Sequence, residues 1–431
     1  MATIVLVPGE VTSKRILAAR LADRLLASGH RVVLVDGGER SLDRFGGVER
    51  RICAWRAKPD TTRRRLRPVA QWRAIATASR SIDVDSVVEV LDEVGAELVL
   101  VDIEEHEFVV AMRARCPELP VAVLSSFFGL WPVRGVPPLD SPMVPRVGFR
   151  GRTSLSVAWW ISRGRRVWRD GRYHLSGRKV ERASVVRHLA RRLGVRREMT
   201  SLPWLHPFVP RAVPTIAMIA PELDLPQQWP AHVRVVGPLL ELPDRTALAR
   251  VADPDLVGFV GRAREEGAPL VVCAFGGFMA TDADDFSERI VEVARISPDL
   301  RFVAVGPTGG PDPENLLRRA WLPQRELLAH AAAAIVHSGT GTLHECAIAG
   351  VPMVVYPFAV NDQAGNAARV EYHGIGMVGD RRRDSTATIA SNLRTVLASS
   401  EIRRHLDDLA MQLRAATQHD RLSPAIDELL A

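Results

Sequence analysis

A histidine followed by a glycine–threonine turn is the clearest chemical signal in this chain of 431 residues. His337 ends a short apolar run, and helical spacing begins right after the turn. The turn consists of Ser338, Gly339, Thr340, Gly341 and Thr342. Small residues let backbone N–H groups approach a ligand, and a helix start adds roughly half a positive charge. We therefore expect an anion site for a phosphate or diphosphate, with the imidazole as a further donor. A turn that only connects strand and helix is the alternative.

Polar and aromatic residues on both sides of the turn narrow the choice of ligand. Trp321 and Gln324 stand upstream in "AWLPQRELL". Glu345 lies one helical turn beyond Gly341, where its carboxylate is placed to accept from two sugar hydroxyls. Asp362 and Gln363 follow "GVPMVVYPFAVN" and open another helical stretch. These residues would place an aromatic ring, amides and carboxylates around the expected anion site.

The order and spacing of these motifs resemble those of a known enzyme family. W-x-P-Q, H-x-G-x-G-T-x-x-E, G-V-P and D-Q follow one another over residues 321–363. This set resembles the donor-binding signature of family 1 glycosyltransferases, which have the GT-B fold and use UDP- or dTDP-linked sugars. One departure is visible, since "PFAVNDQ" has one more residue between the proline and Asp362 than the usual spacing.

The resemblance implies a role for each matching residue. Trp321 stacks on the pyrimidine, Gln324 contacts the base or ribose, and Glu345 binds the ribose hydroxyls. His337 and the backbone N–H groups of residues 338–342 hold the diphosphate, while Asp362 and Gln363 bind the transferred sugar. Gly276 and Gly277, after the strand-like "PLVVCAF", fit a second loop on the phosphate side. The nucleotide sugar is then a donor substrate; no cofactor and no metal are expected.

The residue that removes the acceptor proton is harder to assign. Inverting transfer needs a general base, and the family usually has a histidine after the first strand, paired with an aspartate after a later one. Lys14 occupies the histidine position, and no histidine occurs in residues 1–29. A lysine with a pKa of about 10.4 is a poor base at neutral pH, so Lys14 is expected to neutralise charge. Asp102, at the end of "ELVLVD", is the first candidate for the base, with Glu10 and His106 behind it. For each of these, a solvated loop charge is the alternative.

Alternating strand and helix patterns must position these residues. Short β-rich runs separated by amphipathic stretches predict βαβ units and parallel sheets in both halves of the chain. The fold expected is α/β of the GT-B type, with two doubly wound, Rossmann-like domains facing across a cleft. Residues 1–226 are predicted to bind the acceptor and residues 227–431 the nucleotide sugar. The last helix is expected to pack back on the first domain.

Composition and charge limit the partners and the compartment. Apolar residues make up 47% of the chain, yet no run approaches the roughly 20 that a membrane span needs. Residues 1–10 lack signal-peptide features and four cysteines lie far apart, which favours the cytoplasm. Residues 163–197 hold twelve Arg and one Lys against two acidic residues, a local balance of +11, so the remaining chain carries −4. Basic charge confined to one segment argues against a nucleic-acid-binding protein.

Two interpretations of the basic segment remain open. Residues 159–197 combine tryptophans with arginines, as in a segment that lies on an anionic membrane or grips an acidic acceptor. A solvated arginine-rich helix face is the other interpretation. Aromatic residues of the first half are candidates for an apolar acceptor pocket, although core packing explains any one of them equally well: Phe127, Phe128, Trp131, Trp159 and Trp160.

The function expected is inverting transfer of a hexose to a small apolar acceptor, either a natural-product aglycone or a lipid. A non-catalytic partner that binds the sugar nucleotide is one alternative, because the usual histidine is missing. A nucleotide-sugar epimerase of the same fold is another, although such epimerases lack the W-x-P-Q element.

Overall fold

The computed structural model describes residues 1–37, 48–53, 55, 68–133, 135–146, 149–176, 182–195, 213–276, 284–306, 312–358 and 362–431. Two parallel sheets flanked by helices account for most of this part of the chain. The predicted class, two parallel-sheet α/β domains of the GT-B type, is confirmed.

The first sheet has seven parallel strands in the order β3-β2-β1-β4-β5-β6-β7. Its strands are β1 (Thr3–Val7), β2 (Arg31–Asp36), β3 (Glu49–Ile52), β4 (Leu98–Asp102), β5 (Val121–Ser125), β6 (Thr215–Ala217) and β7 (Val233–Val235). Its helices are α1 (Thr12–Ala27), α2 (Pro68–Arg80), α3 (Val84–Val94), α4 (His106–Arg115), α5 (Phe149–Ser176) and α6 (Arg182–Arg192). β4 and β5 are buried throughout, because helices cover both faces of such a sheet and select continuous apolar runs.

The second sheet has six parallel strands in the order β10-β9-β8-β11-β12-β13. Its strands are β8 (Leu270–Ala274), β9 (Arg301–Val305), β10 (Leu316–Arg319), β11 (Ala333–Val336), β12 (Met353–Val355) and β13 (Gly376–Val378). The helices that follow the first domain are α7 (Pro254–Glu265), α8 (Asp284–Arg295), α9 (Gln324–Leu328), α10 (Thr340–Ala349), α11 (Gln363–His373), α12 (Thr386–Ala398), α13 (Ser400–Ala416) and α14 (Leu422–Leu430).

The first sheet extends past the predicted boundary between residues 226 and 227. β7 pairs in parallel with β6, with Thr215 opposite Val233, so the chain returns to the edge of the first sheet before it leaves that domain. Proline-rich sequence around these short strands conceals this pairing, because prolines interrupt the periodicity by which a strand is recognised. The end of the first sheet, at Val235, is therefore the better limit for the first domain.

The last helix, α14, lies on the first domain. Leu422, Ala425 and Ile426 belong to the same buried cluster as Ile4 and Leu21 of β1 and α1. An ion pair between Arg234 and Glu428 adds to this contact. The chain thus crosses between the domains a second time near its end.

Two buried polar contacts hold the domains together. The Arg369 guanidinium in α11 lies 2.5 Å from the Asp224 carboxylate, and both side chains are only 1% exposed. His344 in α10 accepts a hydrogen bond from the backbone N–H of Ala220 at 2.9 Å. A buried ion pair adds little net stability but strongly disfavours arrangements that separate its partners. These contacts therefore fix how the two sheets face each other.

Neither a membrane span nor a disulfide occurs in the described part of the chain. No helix there is both long and apolar enough to cross a bilayer. All four cysteines are unpaired thiols, of which Cys53, Cys273 and Cys346 are buried and Cys116 is half-buried.

Candidate active site

The turn after β11 leads into a helix whose N-cap residue is a glycine and so has no capping side chain. α10 begins at Thr340, its N-cap is Gly339, and that position makes no side-chain capping bond. A Cβ added at Gly341 would meet none of the described residues within 4 Å, so those residues leave space beside this position. The backbone N–H groups of such a turn and the helix dipole together attract an anion. The position and form of the turn match the expectation from the sequence.

Ser338 supports the turn through its side chain. Its backbone has a positive φ of 60°, which is unusual for a residue with a Cβ. The Ser338 hydroxyl donates to the Gln363 carbonyl at 2.8 Å, and the Ser338 carbonyl accepts from the Asn366 amide at 2.9 Å. Two bonds to α11 thus stabilise a costly conformation, as is common at binding sites.

His337 is enclosed between two glycines. Val336 of β11 pairs with Ala274 of β8, which brings the loop after β8 beside His337. A Cβ at Gly276 would lie 2.9 Å from His337 Nε2, and one at Gly339 would lie 2.6 Å from it. Both glycines are therefore needed for the imidazole to occupy this position. Gly277 lies outside the described residues.

The imidazole of His337 faces the turn in a neutral state. Its Nδ1 lies 3.3 Å from the Ala274 carbonyl, an acceptor that requires the proton to be on Nδ1. Burial lowers the pKa of His337 to about 4, although the bond to Ala274 acts in the other direction. Nε2 then carries a lone pair. The imidazole becomes a donor toward a phosphate only when Nε2 takes up a proton. This requirement was not evident from the sequence.

Glu345 is held from both domains. Gln324, the first residue of α9, donates from Nε2 to Glu345 Oε2 at 2.7 Å and to Thr342 Oγ1 at 3.2 Å. Arg20 of α1 reaches across the cleft to Glu345 Oε1 at 3.2 Å. Glu345, the predicted ribose ligand, is thus held in place by Gln324 of its own domain and forms an ion pair with Arg20 of the other domain.

Trp321 stands at a cavity of about 560 Å³. Pro323, Glu326 and residues within 241–252 also line this cavity. The indole is 56% exposed, so its surface is accessible to a flat ring. This arrangement suits the stacking role that the resemblance implies.

Asp362 is fixed to the anion-binding turn. Its Oδ2 accepts from the Thr340 hydroxyl at 2.9 Å and from the Asn366 amide at 2.8 Å. Burial raises the pKa of Asp362 above its ordinary value, against the effect of these two bonds. Gln363 is buried, and its Oε1 accepts from the Phe358 N–H at 2.6 Å. Residues 359–361, where the spacing departs from the family pattern, lie outside the described residues.

The acceptor side of the cleft is built around Lys14. Its ammonium lies 2.8 Å from Asp102 Oδ1 and 3.1 Å from Glu104 Oε2, and it sits 4.9 Å from the centre of the Phe127 ring. A Cβ on Gly9 would come within 2.8 Å of the lysine chain and 2.9 Å of Asp102 Oδ1. Lys14 thus lies directly beside Asp102, the carboxylate that was expected to be its neighbour.

The charges in this cluster favour an ionised lysine and a carboxyl that binds its proton firmly. Burial alone would lower the pKa of Lys14, but Asp102 and Glu104 outweigh it and raise the pKa. Burial raises the pKa of Asp102, and Glu104 adds to this while Lys14 opposes it. One ammonium cannot compensate two carboxylates fully, which leaves Asp102 more basic than an ordinary aspartate.

The other two candidates for the base differ in exposure. His106 is the first residue of α4 and is buried; burial first, and then the nearby Arg182, lower its pKa to about 3. It is therefore a weak proton acceptor. Glu10 is exposed in the loop between β1 and α1, and its charge contributes to the raised pKa of Arg182.

An ionic group of two buried glutamates and the partly exposed Arg182 was not expected from the sequence. Arg182 of α6 donates to Glu107 from Nε and Nη2, both at 2.7 Å, and to Glu105 at 3.3 Å. The Trp55 indole N–H also donates to Glu105, at 3.0 Å. The only signal in the sequence is the acidic run that follows β4, and nothing local connects it to an arginine some 75 positions later.

Most of the predicted pocket aromatics have other partners. Phe128 is buried and stacks on His344 with ring centres 5.0 Å apart, and Trp131 is buried against Trp229 at 5.9 Å. These two pack the interior, which corrects the prediction that they line an acceptor pocket. Phe127 adjoins Lys14. Trp160 is exposed on α5, away from the core.

The two halves of the site face each other. The ammonium of Lys14 in the first domain is close enough to Asp362 in the second to favour a lower pKa for that carboxyl. Arg20 and Glu345 make a direct contact across the same cleft. The structure therefore brings the predicted donor residues and the Lys14–Asp102 pair to opposite walls of one cleft.

Several known proteins resemble part of this chain in sequence. A family profile described as the C-terminal domain of erythromycin biosynthesis protein CIII-like proteins matches residues 306–426. The sterol 3-beta-glucosyltransferase of Komagataella phaffii is 26% identical over 230 residues, which are 51% of this chain and 18% of that protein. The chain thus spans less than a fifth of the length of this relative.

Solved structures match the whole chain. The glycosyltransferase of kitacinnamycin has a TM-score of 0.66 at 19% identity, with 100% of this chain and 99% of that one covered. CalG4, the calicheamicin glycosyltransferase, has a TM-score of 0.63 at 17% identity, with 100% and 98% covered. The C-terminal part of the chain thus resembles glycosyltransferases of family 1 in sequence, and the whole chain has the GT-B fold of the solved glycosyltransferases.

Proposed function

We propose that this chain is an inverting glycosyltransferase that moves a hexose from a UDP- or dTDP-sugar to a small apolar acceptor. The observation that carries the proposal is the meeting of an uncapped helix start with a buried Lys14–Asp102 pair across one cleft. The first supplies positive potential for a leaving diphosphate. The second supplies a proton acceptor for the incoming nucleophile.

On the donor side, the diphosphate lies against the first turn of α10. The backbone N–H groups there stabilise the charge that develops as the bond from the sugar to the phosphate breaks. His337 adds a donor once Nε2 is protonated, and the approaching diphosphate itself raises the pKa of that imidazole. Glu345 and Trp321 hold the ribose and the base, and Asp362 holds the sugar.

On the acceptor side, Asp102 takes the proton. The acceptor oxygen or nitrogen bonds to the anomeric carbon, its proton moves to the Asp102 carboxylate, and the diphosphate leaves from the opposite side of the sugar. The raised pKa of Asp102 favours this transfer, since a general base works best when its pKa approaches the working pH. Lys14 keeps its partner Glu104, so the ammonium stays compensated after Asp102 becomes neutral.

The acceptor class is proposed from the surroundings of the pair. The buried Phe127 ring lies beside Lys14, with 4.9 Å between the ammonium and the ring centre. The similar proteins carry names that refer to a sterol and to the natural products kitacinnamycin and calicheamicin. An apolar hydroxyl or amine acceptor is therefore proposed here.

The function is tested by mass spectrometry of reactions that combine a panel of UDP- and dTDP-sugars with apolar acceptors. A product with the mass of acceptor plus hexose is expected, and nuclear magnetic resonance should show the inverted anomeric configuration. Binding of a sugar nucleotide without transfer to any acceptor would instead favour a non-catalytic partner. An isomerised sugar nucleotide as the product would favour the epimerase.

Lys14→His tests the departure from the family pattern directly. It restores the residue that the family usually has beside the aspartate, and a neutral imidazole can itself accept the acceptor proton. We expect the variant to retain transfer and to gain a dependence on a group that titrates near pH 6 to 7. Leu17→Ile, a conservative change further along α1, is the control.

A further inference from the structure

One face of α5 exposes large apolar side chains in a row. Val157, Trp160, Ile161, Val167 and Trp168 are all about half exposed or more, and Trp160 and Trp168 reach 74% and 64%. Their spacing places them on one side of the helix, along roughly 17 Å. We call this row the α5 stripe. We propose that the α5 stripe docks the protein on an anionic lipid membrane.

The opposite face of α5 anchors the helix to the first domain. Leu155, Ser162 and Arg166 are buried on that side. The Ser162 hydroxyl donates to Asp140 at 2.9 Å, and Arg166 lies 3.6 Å from the same carboxylate. Since these contacts fix how the helix is turned, the stripe points outward as a consequence of the fold and is not an accident of a loosely held helix.

The Trp159 indole adds to this anchor. Its N–H donates to the Val136 carbonyl at 2.9 Å. Val136 lies in the same loop as Leu139. The Leu139 carbonyl oxygen packs against Gly365 of α11, and a Cβ added at Gly365 would lie only 2.3 Å from that oxygen. The helix that carries the stripe is thus joined, through one loop, to the helix that begins just after Asp362.

Cations flank the stripe. Arg163 lies against the Trp159 ring with 5.9 Å between the guanidinium and the ring centre, and Arg172 lies against the Trp168 ring at 5.3 Å. Arg165 is exposed beside them. By helical spacing, Arg165 and Arg172 stand on one edge of the stripe and Arg163 on the other. The apolar centre is therefore bordered by positive charge.

This combination fits the surface of an anionic bilayer better than other partners. Tryptophan prefers the headgroup level, where its ring is buried and its N–H remains hydrated. Arginine binds phosphate oxygens through several N–H groups at once, and its aliphatic stem covers apolar surface. A helix with such a face lies in the plane of the interface with its apolar side a few ångströms deep. Exposed tryptophans and flanking arginines occur together over the same stretch of α5.

Trp72 of α2 provides a contrast within the same molecule. It is 60% exposed, about as much as Trp168, but it does not belong to the row on α5. A single exposed apolar side chain is common on protein surfaces and needs no partner. It is therefore a matched control for tryptophan exposure as such.

The test is cosedimentation of the full chain with vesicles of phosphatidylcholine, with and without phosphatidylglycerol. We expect the unmodified protein to sediment with the anionic vesicles. In the double variant Trp160→Ser, Trp168→Ser, the partition coefficient onto these vesicles should fall by about tenfold for each indole removed. The control Trp72→Ser should bind like the unmodified chain. Joint replacement of Arg163, Arg165 and Arg172 by glutamine should weaken binding to the anionic vesicles by on the order of a hundredfold.

Two further measurements make the outcome decisive. Brominated lipid should quench part of the tryptophan fluorescence of the unmodified chain, and the double tryptophan variant should lose that part. Absence of binding to anionic vesicles, or equal binding by the double variant, would overturn the proposal. It would also be overturned if the chain formed dimers without lipid and the double variant abolished them, because the stripe would then be an interface between copies. Docking does not depend on the proposed reaction, so loss of transfer in other variants leaves this test unaffected.

Discussion

The two walls of the cleft are constructed in different ways. The donor wall consists mainly of backbone: a helix start, two glycines from different loops that enclose His337, and a serine with positive φ. The acceptor wall consists of side chains, with Lys14, Asp102 and Glu104 in mutual contact. A site made of backbone requires a fixed pattern of small residues, whereas a side-chain site can exchange one residue type for another. The residues from His337 to Glu345 keep the spacing of the family pattern, whereas Lys14 stands where a histidine was expected.

The largest effect should come from Asp102→Asn, which removes the proposed base on the acceptor wall. Transfer should fall on the order of a thousandfold, because an amide cannot accept the proton. Donor binding, measured by calorimetry, should change by no more than about twofold, since Asp102 lies on the other wall. The exposed Asp85→Asn is the matched control. Near-normal turnover in Asp102→Asn would transfer the role to Glu10 or His106.

Gly339→Ala tests the donor wall with a single added methyl group. Its Cβ would lie 2.6 Å from His337 Nε2, so the imidazole or the turn must move. We expect donor affinity to fall by roughly tenfold to a hundredfold, because the phosphate contacts depend on that geometry. Gly261→Ala, where nothing lies within 4 Å of the added Cβ, should bind donor normally. Unchanged affinity in Gly339→Ala would mean that the diphosphate does not use this turn.

The pH dependence of donor binding should reflect protonation of His337 on the donor wall and not of the groups on the acceptor wall. The free protein has a pKa of about 4 at His337, and a bound diphosphate raises it. Binding then takes up a proton, so affinity is greatest at low pH and weakens as pH rises from about 4 to the pKa of the complex. Within that window the dissociation constant should rise by up to about tenfold per pH unit.

Calorimetry in buffers of different ionisation enthalpy measures this proton uptake directly. His337→Gln should abolish it, since a neutral amide can donate to the phosphate without protonation. Asp102→Asn should leave it intact. Equal proton uptake in His337→Gln and the unmodified chain would contradict the assignment to His337.

The smallest effect is expected for Arg20→Gln, at the point where the walls touch. Arg20 occupies Glu345 Oε1 in the absence of donor. Its removal should free that oxygen and tighten donor binding by about twofold to fivefold, the amount that a partly exposed ion pair contributes. Arg24→Gln on the same helix is the control. Weaker binding instead would show that Arg20 contacts the donor.

Some features of this protein followed from local sequence. Alternation of apolar runs and amphipathic stretches predicted the two parallel sheets, because burial on both faces imposes that pattern. Spacing from His337 to Glu345 predicted a helix start, and α10 begins at Thr340. By contrast, the pairing of β7 with the first sheet depended on contacts between short strands, and the predicted boundary at 226 fell before it.

Tertiary structure alone decided how the site is charged and held. No local pattern places Arg182 beside Glu105 and Glu107, Arg20 on Glu345, or Asp224 on Arg369, since each pair joins elements far apart in the chain. Burial likewise set the pKa of His337 and of Asp102, because desolvation depends on everything packed around a group. The sequence determined the fold class and the residues of the donor turn through short-range periodicity and backbone requirements. The way the two walls face each other, and the protonation states of His337 and Asp102, depended on long-range packing.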